Sequence, residues 1–192
     1  MKVFGIDPGS ERTGYGCVET DGSRHQLVVC GAIATSPRAA FPDKLLAIHD
    51  RLAALLAEWR PDSVAVEDIF YATNVRTALK LGHARGVAIL AAVEAGVPVA
   101  EYTPAEIKRA VVGYGRAEKH QVQEMVRLLL GLKTVPSPND AADALAVAIC
   151  HVHNLGPAAA AVDDARRAAA RRAGKPGPRS WRRYRPDRDG RQ

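Results

Sequence analysis

No apolar run in this chain approaches the ~20 residues that a helix needs to cross a bilayer. The opening Met1-Lys2-Val3-Phe4-Gly5-Ile6-Asp7 also lacks the longer apolar stretch of a secretory signal, so a cytoplasmic location is expected. Cysteine is scarce. Cys17, Cys30 and Cys150 are odd in number, far apart and without a Cys-x-x-Cys pair, which argues against both a disulfide framework and a zinc ribbon. There is no internal repeat. The first 156 residues also lack net positive charge: residues 157–192 hold 11 Lys and Arg against 4 Asp, and residues 1–156 hold 16 basic and 17 acidic residues. The formal charge of +6 therefore belongs to the C-terminal stretch.

What is present describes one globular domain with an extension. Hydrophobic residues make up 47% and charged residues 25% of the 192 positions, which excludes global disorder and suits a single sizeable core. Three short β-rich segments, 2–6, 14–20 and 26–33, are separated by Gly, Ser and Asp turns and predict an antiparallel start. An apolar stripe through Leu45, Leu46, Ile48, Leu52, Leu55 and Leu56 predicts a helix over 43–59, stopped by Pro61. Residues 63–67 read as a buried strand, 76–95 as a long helix ended by Gly96, and 97–100 as a last strand. Further helices fit 104–111, 118–130 and 139–154; Thr103-Pro104-Ala105-Glu106 has the spacing of a capping box. The expectation is an α/β fold, a mixed five-stranded sheet flanked by helices, over residues 1–156. Residues 157–192, rich in Pro, Gly, Ala and Arg, read as a flexible basic tail that attracts phosphates without regard to sequence, with Trp181 and Tyr184 able to stack on bases.

Four acids stand out by position. Asp7 ends the apolar run Val3-Phe4-Gly5-Ile6 and precedes Pro8-Gly9-Ser10, and Glu67 closes Val64-Ala65-Val66, so both lie at strand ends, where chemistry is common. Asp140 and Asp143 are three apart on a predicted helix and share a face. Asp140 alone fits a carboxylate that complements a helix N-terminus. Asp143 does not, because the rest of Ala141-Ala142-Asp143-Ala144-Leu145-Ala146-Val147-Ala148-Ile149-Cys150 is small or apolar and nothing basic lies within a turn of it. A metal ion would relieve the cost of an ionised carboxylate there. Four converging acids without soft ligands favour Mg²⁺ or Mn²⁺, and two such ions suit in-line hydrolysis of a phosphodiester.

The sequence then resembles the RuvC family of bacterial Holliday-junction resolvases. The resemblance is carried by Phe4-Gly5-Ile6-Asp7-Pro8-Gly9-Ser10 with Thr13-Gly14-Tyr15-Gly16, by Val66-Glu67-Asp68-Ile69-Phe70 and by Ala78-Leu79-Lys80-Leu81-Gly82-His83-Ala84-Arg85-Gly86. Val111-Val112-Gly113-Tyr114-Gly115 and Asp140-Ala141-Ala142-Asp143-Ala144 extend it, in order, over residues 2–155. It implies a ribonuclease-H-like fold, a homodimer, two Mg²⁺ ions per active site with Mn²⁺ able to substitute, and paired nicks in opposed strands of a four-way junction. It further implies that Asp7, Glu67, Asp140 and Asp143 bind the metal, that Lys119 and Lys108 lie near the scissile DNA, and that Phe70 stacks on a base at the crossover. Work alongside the RuvA and RuvB branch-migration proteins is implied as well. Residues 69–127 carry eight Lys and Arg against five Glu, and Arg76, Lys80, Arg85, Arg109 and Arg116 are candidate phosphate contacts there. The apolar, small-residue helix over 79–92 is the candidate dimer interface.

Two other classes share parts of this pattern. A phosphate-binding ATPase of the actin and sugar-kinase type also ends its first strand in Asp before a Gly-rich turn, but this chain lacks a second such loop and the length for two lobes. A protein that binds junctions without cutting them is expected to miss a carboxylate, and all four are present.

Overall fold

A computed structural model describes residues 1–68 and 74–172, with side chains through residue 155. Strands β1 (Lys2–Asp7), β2 (Arg12–Thr20) and β3 (His25–Ala34) form the antiparallel start. Helix α1 (Phe41–Trp59), strand β4 (Ser63–Glu67), helix α2 (Val75–Glu94) and strand β5 (Val99–Tyr102) follow. Helices α3 (Pro104–Val112), α4 (Lys119–Leu129) and α5 (Asn139–Arg172) complete the order. The sheet runs β3-β2-β1-β4-β5, with β4 parallel to both β1 and β5, so it is mixed and five-stranded as the sequence predicts. Met1–Leu155 form one compact unit.

Element ends differ from expectation in two informative places. The last strand starts at Val99, two residues late, because Pro98 has no N–H to give the ladder; its carbonyl still accepts from the Val64 N–H at 2.9 Å. Helix α5 runs to Arg172, past the predicted end at 154 and into the segment read as tail. Ala and Arg, the commonest residues there, are among the best helix formers. By contrast, the capping box at α3 forms as its spacing requires: the Glu106 carboxylate accepts from the Thr103 N–H at 2.8 Å, and the Thr103 hydroxyl accepts from the Glu106 N–H at 3.3 Å.

The period of two in a strand sorts side chains between two cores. Phe4, Ile6, Cys17, Val64 and Val66 face one way, against Ile48, Leu52, Leu55 and Leu56 of α1 and the alanines of α2. Val3, Val18 and Ala65 face the other, against α3, α4 and the start of α5. Asp7 is in phase with Val3, and Glu67 with Ala65. Both acids are thereby carried to the side of the sheet where α5 lies. No helix among the described residues is long and apolar enough to cross a membrane.

Candidate active site

Glycine brings α5 onto the sheet. A Cβ at Gly5 would overlap the Ala144 carbonyl, one at Gly14 the Asp140 carbonyl, and one at Gly16 the Leu145 side chain. Gly5 pairs with Gly16, and Asp7 with Gly14, across β1 and β2. The helix backbone therefore rests directly on the strand ends, so Asp140 and Asp143 arrive beside Asp7 with no side chain between. Parallel pairing of β1 with β4 brings Glu67 alongside.

The result is an open cleft of about 400 Å³ whose polar lining is Asp7, Glu67, Asp143, Lys108 and Lys119, with Ile107 and Val122 among its apolar walls. Burial, above all, raises the pKa of Asp7, and the Asp143 charge adds to it. Burial also raises that of Glu67, followed by the charge of Asp7, and the two carboxyls share a hydrogen bond. Both shifts have one origin: burial penalises the ionised form, and the neighbouring carboxylates add repulsion to it.

The other two acids have found cations. Lys119 Nζ donates to Asp143 Oδ2 at 2.6 Å, and that bond, first among its causes, raises the lysine's pKa. Arg12 Nε lies 3.0 Å from Asp140 Oδ2. Asp143 has no basic neighbour within its own turn of α5, and the neutralising charge comes instead from the first residue of α4. Arg12 is not among the residues that the sequence pattern picks out, although it opens β2 five residues after Asp7. Behind it, Glu11 accepts two bonds from the buried Lys44 at 2.6 and 2.7 Å, which ties this turn to α1.

The donor set is all oxygen, which fits a hard divalent cation rather than a soft one. With Asp143 and Asp140 engaged by Lys119 and Arg12, no group of three His, Cys, Asp or Glu among the described residues is arranged to hold a metal as it stands. Of the remaining candidates, Lys108 lines the cleft. Arg76, Arg109 and Arg116 are exposed away from its lining, and Lys80 sits over the Phe41 ring at 5.8 Å. Arg85 is committed elsewhere: its guanidinium bridges Asp68, at 3.2 Å, and Glu101. Phe70 lies outside the described residues.

Comparison with known proteins agrees with this architecture. A family model described as crossover junction endodeoxyribonuclease RuvC matches residues 3–151. A curated relative of that name from Syntrophomonas wolfei is 53% identical over 154 residues, covering 80% of this chain and 90% of its own. One from Trichlorobacter lovleyi is 52% identical over 192 residues, covering 97% and 100%. Among solved structures, Thermus thermophilus RuvC in complex with Holliday junction substrate superposes with a TM-score of 0.79 at 40% identity, covering 83% of this chain and 97% of that one. The fold is ribonuclease-H-like, and with the family model spanning the sheet and every helix that touches the cleft, the chain belongs to the family of crossover junction endodeoxyribonuclease RuvC.

Proposed function

We propose that this chain is a structure-selective endonuclease that resolves four-way DNA junctions. It makes paired nicks in opposed strands, leaves 5′-phosphate and 3′-hydroxyl ends, and serves recombination and repair in the cytoplasm. The observation that carries this reading is the convergence of Asp7, Glu67, Asp143 and Lys119 on one open cleft. The reading is supported by the Thermus relative having been solved with a Holliday junction substrate.

Asp7, Glu67, Asp140 and Asp143 are the residues that would hold divalent cations, two Mg²⁺ per site with Mn²⁺ as a substitute. Such ions supply an activated water and stabilise the leaving 3′ oxygen. The chain's own residues prepare that chemistry. Asp7 and Glu67 share a hydrogen bond, and Lys119 and Arg12 pair with Asp143 and Asp140, so each acid is held at the cleft in a position from which it could take a cation. Lys119 and Lys108, both at the cleft, are then placed to offset charge building on a phosphate. Arg76, Lys80, Arg109 and Arg116 serve as phosphate contacts that set position. Arg85, held by two carboxylates, instead ties α2 to the ends of β4 and β5. Phe70 is the proposed stacking aromatic, and the basic segment 157–192 adds attraction that fades with salt.

Paired nicks need two sites, and a homodimer supplies them. Val75, Leu79, Leu90 and Val93 of α2 are exposed, at 77, 60, 49 and 60%. With Gly82 and Gly86, which have open space beside them, they fall within a stripe about 80° wide on the helix. Small and apolar residues on one exposed face suit close approach of a second copy. The branch-migration proteins RuvA and RuvB are the proposed further partners. The test is a gel assay of the purified chain on a synthetic four-way junction, with duplex and single-strand controls, with and without Mg²⁺ or Mn²⁺. Cation-dependent nicks confined to the junction are expected; equal cutting of linear duplex would replace this reading with that of a general nuclease.

A further inference from the structure

Far along α5 from the acids, two imidazoles meet. His25 opens the edge strand β3, and His153 lies ten residues beyond Asp143. Their Nε2 atoms are 3.3 Å apart, with ring centroids 5.3 Å apart and planes inclined by 50°. The outer nitrogens are already engaged. His153 Nδ1 lies 2.9 Å from the Ala110 carbonyl oxygen, which can only accept, so the neutral ring carries its proton on Nδ1 and presents a lone pair at Nε2. His25 Nδ1 is 2.9 Å from the Thr20 hydroxyl, which also accepts from the Gly22 N–H at 3.0 Å. When His25 donates to Thr20, two Nε2 lone pairs face one another and call for a cation between them. Burial foremost, and then the neighbouring His153, lower the pKa of His25 and favour the uncharged state that a ligand requires.

The spacing suits such a cation. Two nitrogens bound at about 2.0 Å with a tetrahedral angle lie about 3.3 Å apart and place their ring centroids about 5.2 Å apart. We propose that His25 and His153 form a two-nitrogen chelate for a borderline transition cation of the zinc, nickel and copper class, its other positions filled by solvent. No third His, Cys, Asp or Glu among the described residues joins them. His153 is exposed and His25 half-buried, so the chelate is open to solution. Imidazole prefers such ions, whereas an all-oxygen cleft prefers Mg²⁺, so the two sites sort cations by ligand type. The hydrogen bonds from Nδ1 to Ala110 and Thr20 orient both rings in the way that outer partners orient metal-bound histidines. A bound ion would clip β3 to α5 and, through Ala110, to α3, the helix that brings Lys108 to the cleft.

The experiment is a Zn²⁺ titration of the full chain by calorimetry in saturating Mg²⁺, paired with NMR of the histidine ring protons. The wild type is expected to take up zinc with the resonances of His25 and His153 moving together and those of His49, His83 and His120 unmoved. His25→Ala and His153→Ala are each expected to weaken uptake by at least ~10-fold. Unchanged uptake by the double variant overturns the chelate. So do stationary His25 and His153 resonances in the wild type, a readout that depends on no variant's folding and marks a pair that only shares a proton. Neither readout depends on DNA cleavage, so failure here leaves the endonuclease reading standing.

Discussion

On one face of the sheet, Phe4, Ile6, Val64 and Val66 meet Ile48, Leu52, Leu55 and Leu56 of α1, all at most 2% exposed. On the other, Gly5, Gly14 and Gly16 leave no side chain between the strands and α5, and two acids stand at the strand ends beneath it. The first arrangement removes large aliphatic groups from water and stabilises the fold. The second forgoes that burial at the strand ends and adds carboxyls whose ionisation the fold resists, so it is explained by what it places and not by what it stabilises. The difference separates residues that hold the molecule together from residues that aim it.

The largest expected effect lies on the aiming side. Asp7→Asn removes one carboxylate charge but keeps a side chain able to hydrogen-bond to Glu67, and cleavage of a four-way junction should fall by at least about 10³-fold while junction binding and melting temperature stay near wild type. Undiminished cleavage would sink the proposed mechanism. Next is a pair that sets the two faces against each other. Leu52→Ala should cost about 2–5 kcal/mol of stability, seen by denaturant melting, and leave cleavage per folded molecule unchanged. Gly14→Ala should also destabilise, because its methyl would overlap backbone atoms of Asp140 that cannot give way without moving α5. A shift of about 1 Å in α5 is enough to lower cleavage by roughly 10²-fold. If both variants lose stability and activity in parallel, the division between the faces is wrong.

Most of this division was legible in the sequence. The apolar runs Val3-Phe4-Gly5-Ile6 and Val64-Ala65-Val66 give two buried strands, each closed at its carboxyl end by an acid, and the leucine stripe of α1 gives the helix that covers one side. The glycines stood among the residues of the family resemblance, but their reason is a close approach by a helix more than a hundred residues away, which no local pattern reports. The partners of the acids were hidden for the same reason. Lys119 and Arg12 lie on other elements than Asp143 and Asp140, so spacing along α5 could not reveal them. Arg85 shows the converse: a basic residue chosen for its place in a basic region has acidic partners, Asp68 and Glu101, that spacing along α2 could not reveal.

A smaller effect tests whether the acids resist their own burial. Burial raises the pKa of Glu67 in the folded, metal-free chain. The native state then holds a proton that the unfolded chain releases, so stability is highest below the unfolded pKa and is lost as pH rises through the folded one. Without divalent cations, the wild type should melt lower at about pH 8 than at about pH 5. Glu67→Gln should flatten that slope and raise the melting temperature at the higher pH by roughly 2–4 °C, while abolishing cleavage. A Glu67→Gln chain that melts lower than wild type would show that the carboxylate is structural after all.

The smallest effect separates the two cations beside the site. Arg12 and Asp140 are 52 and 31% exposed at the side chain, so their pair contributes about 0–1 kcal/mol and Arg12→Ala should leave the melting temperature nearly unchanged. Its influence is on charge. With Arg12 gone, Asp140 is no longer competed for, and the Mg²⁺ concentration for half-maximal cleavage should drop by roughly three-fold, which corresponds to a lost competitor of that strength. Lys119→Ala frees Asp143 in the same way but removes a charge from the cleft itself, so its maximal rate should fall even at saturating Mg²⁺. A rise in the Mg²⁺ requirement of Arg12→Ala would mean that the arginine orients Asp140 rather than standing in for the ion. Arg12 would then belong with the glycines, among the residues that aim the site.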